Sequence, residues 1–270
     1  MITPTMFELI VPVLFAVFIW WFSTGVVLLL NGMPRTTFRW SLLISSLLAV
    51  TALYGLSHTA ATLNVVNVYC AFTSALLVWG WHELTFLTGW LTGPRQQVCN
   101  ATGGWPRFSQ AVAAILWHEL AILASGLAIA GITWNAANQV GLWTFAVLWV
   151  MRTSAKLNLF FGVRNLSEEF LPAHLAYMGS YFRRRAMNAF LPIAIILSSL
   201  VLALIVQRAT SFESTPADMV GLMLVGSMLA MAILEHFLLV LPLSSTALWR
   251  WAMRNRTPLV VTTAADSMGR

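Results

Sequence analysis

Seven apolar runs, each long enough to cross a bilayer, divide this chain almost end to end: residues 8–31, 40–62, 66–91, 108–132, 138–161, 186–207 and 218–243. A spanning helix needs about 20 mostly apolar residues, because the hydrocarbon layer is about 30 Å thick and a helix rises about 1.5 Å per residue. No soluble domain separates the runs. The longest connections are 92–107, rich in Gly and Pro, and 162–185. Only 9% of the 270 residues are charged and 59% are hydrophobic, whereas a soluble domain carries about 25% charged residues. So few charges cannot cover a water-facing surface, and the solvent must be mostly lipid. The chain therefore reads as all-α, a polytopic bundle of about seven transmembrane helices. One domain covers 1–250, and 251–270 reads as a flexible cytoplasmic tail. The first run lacks a basic leader and a small-residue cleavage site, so it reads as a retained helix.

The net charge of +6 points to topology rather than to nucleic acid. Arg35 and Arg39 follow run 1, and Arg95 and Arg107 follow run 3. Arg152, Lys156, Arg164, Arg183, Arg184 and Arg185 surround the connection after run 5. Arg250, Arg254, Arg256 and Arg270 follow run 7. These are fourteen of the fifteen basic residues, and Arg208 alone falls on the other side. The positive-inside rule then places the N-terminus outside and the C-terminus in the cytoplasm. A count of six or eight helices would break this alternation. Trp40, Trp90, Trp105, Trp249 and Trp251 fall near the basic boundary and read as an aromatic belt. Cys70 and Cys99 fall near opposite faces, which disfavours a disulfide, and neither has metal-ligand spacing.

The acidic residues and histidines are few, nine and five, yet three His–Glu neighbours fall inside apolar runs. They are His82-Glu83, His118-Glu119 and Glu235-His236. His82 lies nine residues before the end of run 3, His118 ten after the start of run 4, and Glu235 eight before the end of run 7. With the helix directions above, all three pairs lie on the order of 12–15 Å from the basic edge. They share one layer, and adjacent helix residues point about 100° apart, so one member of each pair can face the bundle centre. An isolated ionised Glu in hydrocarbon is expensive; it must be paired, neutral or metal-bound. Three readings follow: a structural network of His–Glu hydrogen bonds, a divalent metal site of iron, manganese or zinc with up to six N/O ligands, or a single imidazole ligating a haem or other tetrapyrrole. The spacing matches neither H-E-x-x-H nor the Glu-x-x-His of soluble di-iron bundles.

Lys156, Asn158 and Asn165 form a polar stretch around Gly162. It reads either as a helix C-terminus with a favourable cation or as the wall of a cavity on the basic side. His174, in the same connection, reads as a surface histidine or as a cap over the polar layer. His58 lies too near the opposite edge to join it. Gly93-Pro94-Arg95 reads as a helix stop and turn. Arg183, Arg184 and Arg185 read as an anchor on anionic lipid headgroups or a docking patch for an acidic partner. The methionines of run 7 read as packing.

Several motifs in order resemble one family. They are Trp20-Trp21-Phe22-Ser23-Thr24-Gly25, His82-Glu83 through Gly89, Gly93-Pro94-Arg95, Trp117-His118-Glu119, Lys156-Leu157-Asn158 through Asn165, and Phe170 through Tyr177 with Ser180-Tyr181-Phe182. Together they resemble the PuhE family, photosynthetic complex assembly proteins of purple phototrophic bacteria. The resemblance implies a multi-pass protein of the bacterial inner or intracytoplasmic membrane. It also implies a role in assembling the reaction centre and core light-harvesting complex or in bacteriochlorophyll supply, with their subunits or bacteriochlorophyll as partners. It carries no established catalytic or ligand residue. A membrane metalloenzyme of tetrapyrrole or carotenoid maturation, and a bacteriochlorophyll- or haem-binding carrier, stand as alternatives.

Overall fold

A computed structural model describes residues 6–211, 213–241 and 248–253. Among them are seven α-helices: α1 (Met6–Asn31), α2 (Phe38–Ala60), α3 (Val65–Leu87), α4 (Gly104–Ile132), α5 (Val140–Phe161), α6 (Phe190–Ala209) and α7 (Pro216–Leu238). All but α5 combine spanning length with spanning hydropathy. The fold is thus an all-helical, multi-pass membrane bundle. Helix α5 has the length, at 22 residues, but carries Arg152 and Lys156 within its last ten. These two cations belong to the helix itself, Lys156 partly buried and Arg152 exposed on its flank. They are not the loop charges that their place near the end of run 5 suggests.

Helix α3 and helix α7 are the most enclosed spans. They pack on each other and both contact α1 and α5. Their shared core holds Val68, Phe72, Leu76, Val220, Leu224 and Met228. Met228 is fully buried, as expected of a thioether filling a gap between helices. Helix α2 lies along α3, and α6 along α7. Between helices in lipid there is no hydrophobic drive, so close packing and interhelical hydrogen bonds hold the bundle.

The helix ends differ from the apolar runs for local reasons. Run 3 continues to residue 91, but α3 stops at Leu87. Gly89 takes φ +78°, and the Trp90 and Leu91 amides turn back to the Thr85 carbonyl, a glycine-based C-terminal closure. Run 6 starts at 186, but α6 starts at Phe190, where Asn188 Oδ1 accepts from the Phe190 and Leu191 amides. Helix α7 opens on a capping box, Thr215 with Asp218, and a proline in its first turn.

The tail expected at 251–270 is packed at its start. Trp249 donates to the Trp21 carbonyl and Trp21 donates to the Leu248 carbonyl. Trp251 lies against Gly25, where any Cβ would overlap its ring. Trp249 is therefore buried and is not part of an interfacial belt, whereas Trp40, Trp90 and Trp105 are exposed. The remainder of that tail, 254–270, lies outside the described residues.

Candidate functional site

Five residues of α5, Arg152 to Lys156, receive one member of each His–Glu pair. That stretch spans about 6 Å of helix rise. Arg152 Nη2 lies 3.3 Å from Glu83 Oε2 on α3. Lys156 Nζ lies 2.5 Å from Glu119 Oε1 on α4, and Trp149 Nε1 reaches the other Glu119 oxygen at 3.4 Å. Ser154 Oγ lies 2.9 Å from His236 Nε2 on α7. The geometry follows from the helix period: residues four apart share a face, and the one midway between points away. Arg152 and Lys156 therefore serve α3 and α4, and Ser154 serves α7. Glu235 faces the same group and interacts electrostatically with Arg152 and Glu83.

Each histidine turns away from its neighbouring acid. His236 Nδ1 donates to the Ala232 carbonyl at 2.8 Å. In a neutral ring its Nε2 must then accept from the Ser154 hydroxyl. His82, fully buried, lies with Nε2 2.9 Å from Ser125 Oγ on α4. His118 is buried beside it, the two rings 6.3 Å apart and nearly perpendicular. Phe86 covers the His118 ring at 4.5 Å. Nδ1 of His82 and Nδ1 of His118 are both buried without a protein hydrogen-bond partner. Buried polar atoms are nearly always satisfied, so this pair of nitrogens marks a place suited to a further ligand or water.

A loop fixes His118 in that place. Its amide donates to the Thr92 carbonyl at 2.9 Å, and the Arg95 amide donates to Ala113 O at 3.3 Å. Segment 92–95 thus lies directly on the backbone of α4. Gly93 sits so close that a Cβ would overlap Ala113 O and the Ala114 carbonyl group. Its motif is a clamp on α4 as well as the end of a turn.

The six residues expected as one ligand set are instead divided. Glu83 and Glu119 are taken by cations and His236 by Ser154. Among the described residues no group of three or more His, Cys, Asp or Glu is placed to hold a metal ion. The pair with open nitrogens is His82 and His118. Their heights above the helix ends also differ from those read off the runs: His82 lies five residues before the end of α3, His118 fourteen after the start of α4, and Glu235 three before the end of α7. They meet nonetheless, because α4 begins earlier and α3 and α7 end earlier than the runs.

The residues expected to line a cavity have separate roles. Asn158 is fully buried; its amide donates to Ser154 O and its Oδ1 accepts from Asn188. Asn165 ties the loop after α5 to the end of α7 through Leu238 O and Leu241 O. His174 Nε2 donates to Leu87 O at 3.0 Å. It lines a cavity of about 230 Å³ with Arg35, Phe38, Gln96 and Tyr177. Burial, and to a lesser degree the Arg35 charge, pulls His174 below the ordinary histidine range against the opposing effect of the Leu87 bond. His58 stacks on exposed Tyr54 at the surface. Ser125 and Ser154 belong to the polar contacts between helices, and sequence offers little to single them out. Only Ser125 carries a hint, lying seven residues, two turns, from His118.

A family model described as a protein of unknown function (DUF3623) matches residues 6–259. The chain belongs to that family. It is also 35% identical, over 261 residues and 94% of each chain, to a Rhodobacter capsulatus protein described as an uncharacterized 30.4 kDa protein in the puhA 5′ region. No solved structure matches. The match to the family runs through all seven helices, so the α5 row and the Gly93 clamp lie within the family's region.

Proposed function

We propose that this protein is an integral membrane factor for assembly of the bacterial photosynthetic apparatus, serving reaction-centre or core-antenna subunits or the supply of bacteriochlorophyll. The gene region of the Rhodobacter capsulatus relative and the ordered motif resemblance support that setting. The observation that carries the non-enzymatic form of the reading is the use of the partly buried acids on α3 and α4. Glu83 and Glu119 are held by Arg152 and Lys156, so the carboxylates a metalloenzyme would need serve to join helices. In this reading the N-terminus is outside, the basic loops are cytoplasmic, and the membrane is the inner or intracytoplasmic one. Deleting the gene in a phototrophic host should lower reaction-centre and core-antenna levels without accumulation of a tetrapyrrole or carotenoid precursor. Normal complex levels, or a defined precursor, would sink it.

A second reading rests on the open Nδ1 atoms of His82 and His118. Two adjacent buried imidazoles, each with an unpartnered nitrogen, suit a tetrapyrrole or one divalent metal such as iron, manganese or zinc. Metal analysis and an absorption spectrum of the purified protein test it. Stoichiometric metal or pigment that His118→Ala removes would support it, and absence of both from the wild type would discard it.

A further inference from the structure

The run Arg183-Arg184-Arg185 is not one uniform patch. Arg184 points to Glu168, 3.8 Å away. Arg183 lines the same groove as Arg107, and both Arg183 and Arg185 interact with Arg107 electrostatically. Arg107 is 4% exposed. Its guanidinium lies 4.1 Å over the Phe160 ring and donates to Phe160 O and Tyr181 O, neither of which carries a formal charge. Among the described residues no carboxylate pairs with Arg107, Arg183 or Arg185. Three like charges held together at the edge of a low-dielectric medium repel, and a bound anion would relieve that repulsion.

The backbone holds this arrangement in place. Val163 N donates to Arg183 O and Arg185 N to Val163 O, both at 3.1 Å, while Arg183 N donates to Leu159 O. Gly162, at φ +120°, lets the Arg185 stem lie against the chain. A groove of about 400 Å³ runs beside the cluster, lined by Arg107, Arg183, Trp105, Phe108, Phe160 and Phe161. The rings follow one another from Trp105, tilted against Phe108, to Phe160 and Phe161 in edge-to-face contacts, with centroids 5.5–5.7 Å apart. At the head of the groove α4 begins, with no side chain capping its first turn, so its free amides and dipole also favour an anion.

We propose that this groove binds an anionic glycerophospholipid, with its phosphodiester at Arg107, Arg183 and the start of α4 and an acyl chain along the aromatic wall. The pairing of uncompensated arginines with a ring-lined channel at the end of two membrane helices is what selects a lipid over a free anion. The assignment does not depend on the assembly role. It is tested on the full-length protein, delipidated in detergent and titrated with phosphatidylglycerol, phosphatidylcholine or inorganic phosphate while thermal unfolding is followed. Phosphatidylglycerol should raise the Tm, and the other two should not. Arg183→Gln and Arg185→Gln should each weaken the phosphatidylglycerol midpoint about fivefold, and Arg184→Gln should leave it unchanged. Arg107 is left intact because its backbone bonds hold the fold. Wild-type titration by both Gln variants, an equal response to phosphatidylcholine, or a full response to phosphate alone would each overturn the lipid assignment.

Discussion

Two groups of charges lie on this molecule and are treated in opposite ways. Within the span of α5, exposed Arg152 and part-buried Lys156 each meet one carboxylate from another helix. At the start of α4 and the end of α5, Arg107 meets two carbonyls and a ring, Arg183 lines the same groove, and among the described residues neither pairs with an acid. The contrast follows from where each group's compensation comes from. Within the hydrocarbon layer an unpaired charge has no outside partner, so the chain must supply the opposite sign itself. At the headgroup level the membrane supplies it. An ion pair is thus a helix-to-helix contact in one region, and an unmet charge is an outward-facing site in the other.

The strongest way to break this comparison is to strip one interior partner. Glu119→Gln leaves Lys156 charged and unpaired and should cost about 3 kcal/mol, read as a large fall in unfolding temperature in detergent. The double variant Glu119→Gln/Lys156→Met should recover most of the loss. A single variant as stable as wild type would mean that the pair does not hold α4 to α5.

Gly93→Ala tests whether the loop on α4 is part of the interior. The added methyl meets carbonyl groups of α4 and should cost about 2 kcal/mol. An unchanged unfolding temperature would rule out the clamp and, with it, the loop's hold on His118.

The smallest expected effect lies between the two regions, at His174. Its folded-state proton affinity lies below that of a free histidine. Above pH of about 6.5, both folded and unfolded chains leave it neutral and it contributes no pH dependence. As pH falls below that value, the unfolded chain takes up the proton first and stability declines. The unfolding temperature should therefore drop between about pH 7 and pH 5, and His174→Asn should flatten that drop. An identical pH profile in the variant would remove His174 as its source.

Much of the architecture was legible because apolar run length maps directly onto helix number, and seven runs became seven helices. The neighbouring His and Glu residues were legible as a group because such residues are scarce in lipid. Their partners were not. Arg152 and Lys156 fall within run 5 but read with the basic loop after it, because their carboxylate partners lie 69 and 37 residues away on other helices. Nor does sequence reveal which member of an adjacent pair faces which helix. His82 turns to Ser125 while Glu83 turns to Arg152, a choice set by the packing of α4 and α5 around α3. Arg107 was read as a boundary charge, and its burial depends on Phe160 and Tyr181, 53 and 74 residues away. Gly93 looked like a turn residue because the backbone it touches belongs to α4.

The polarity of α5 has a consequence for how the protein is made. Taken alone, α5 is the long helix that falls short of spanning hydropathy, so it has the least reason to leave an aqueous channel for lipid. The two carboxylates that neutralise its cations precede it in the chain, on α3 and α4, whereas the His236 that meets Ser154 comes later, on α7. During synthesis, then, α5 should enter the bilayer only beside helices already there. On that account its insertion depends on α3 and α4 being in the bilayer first.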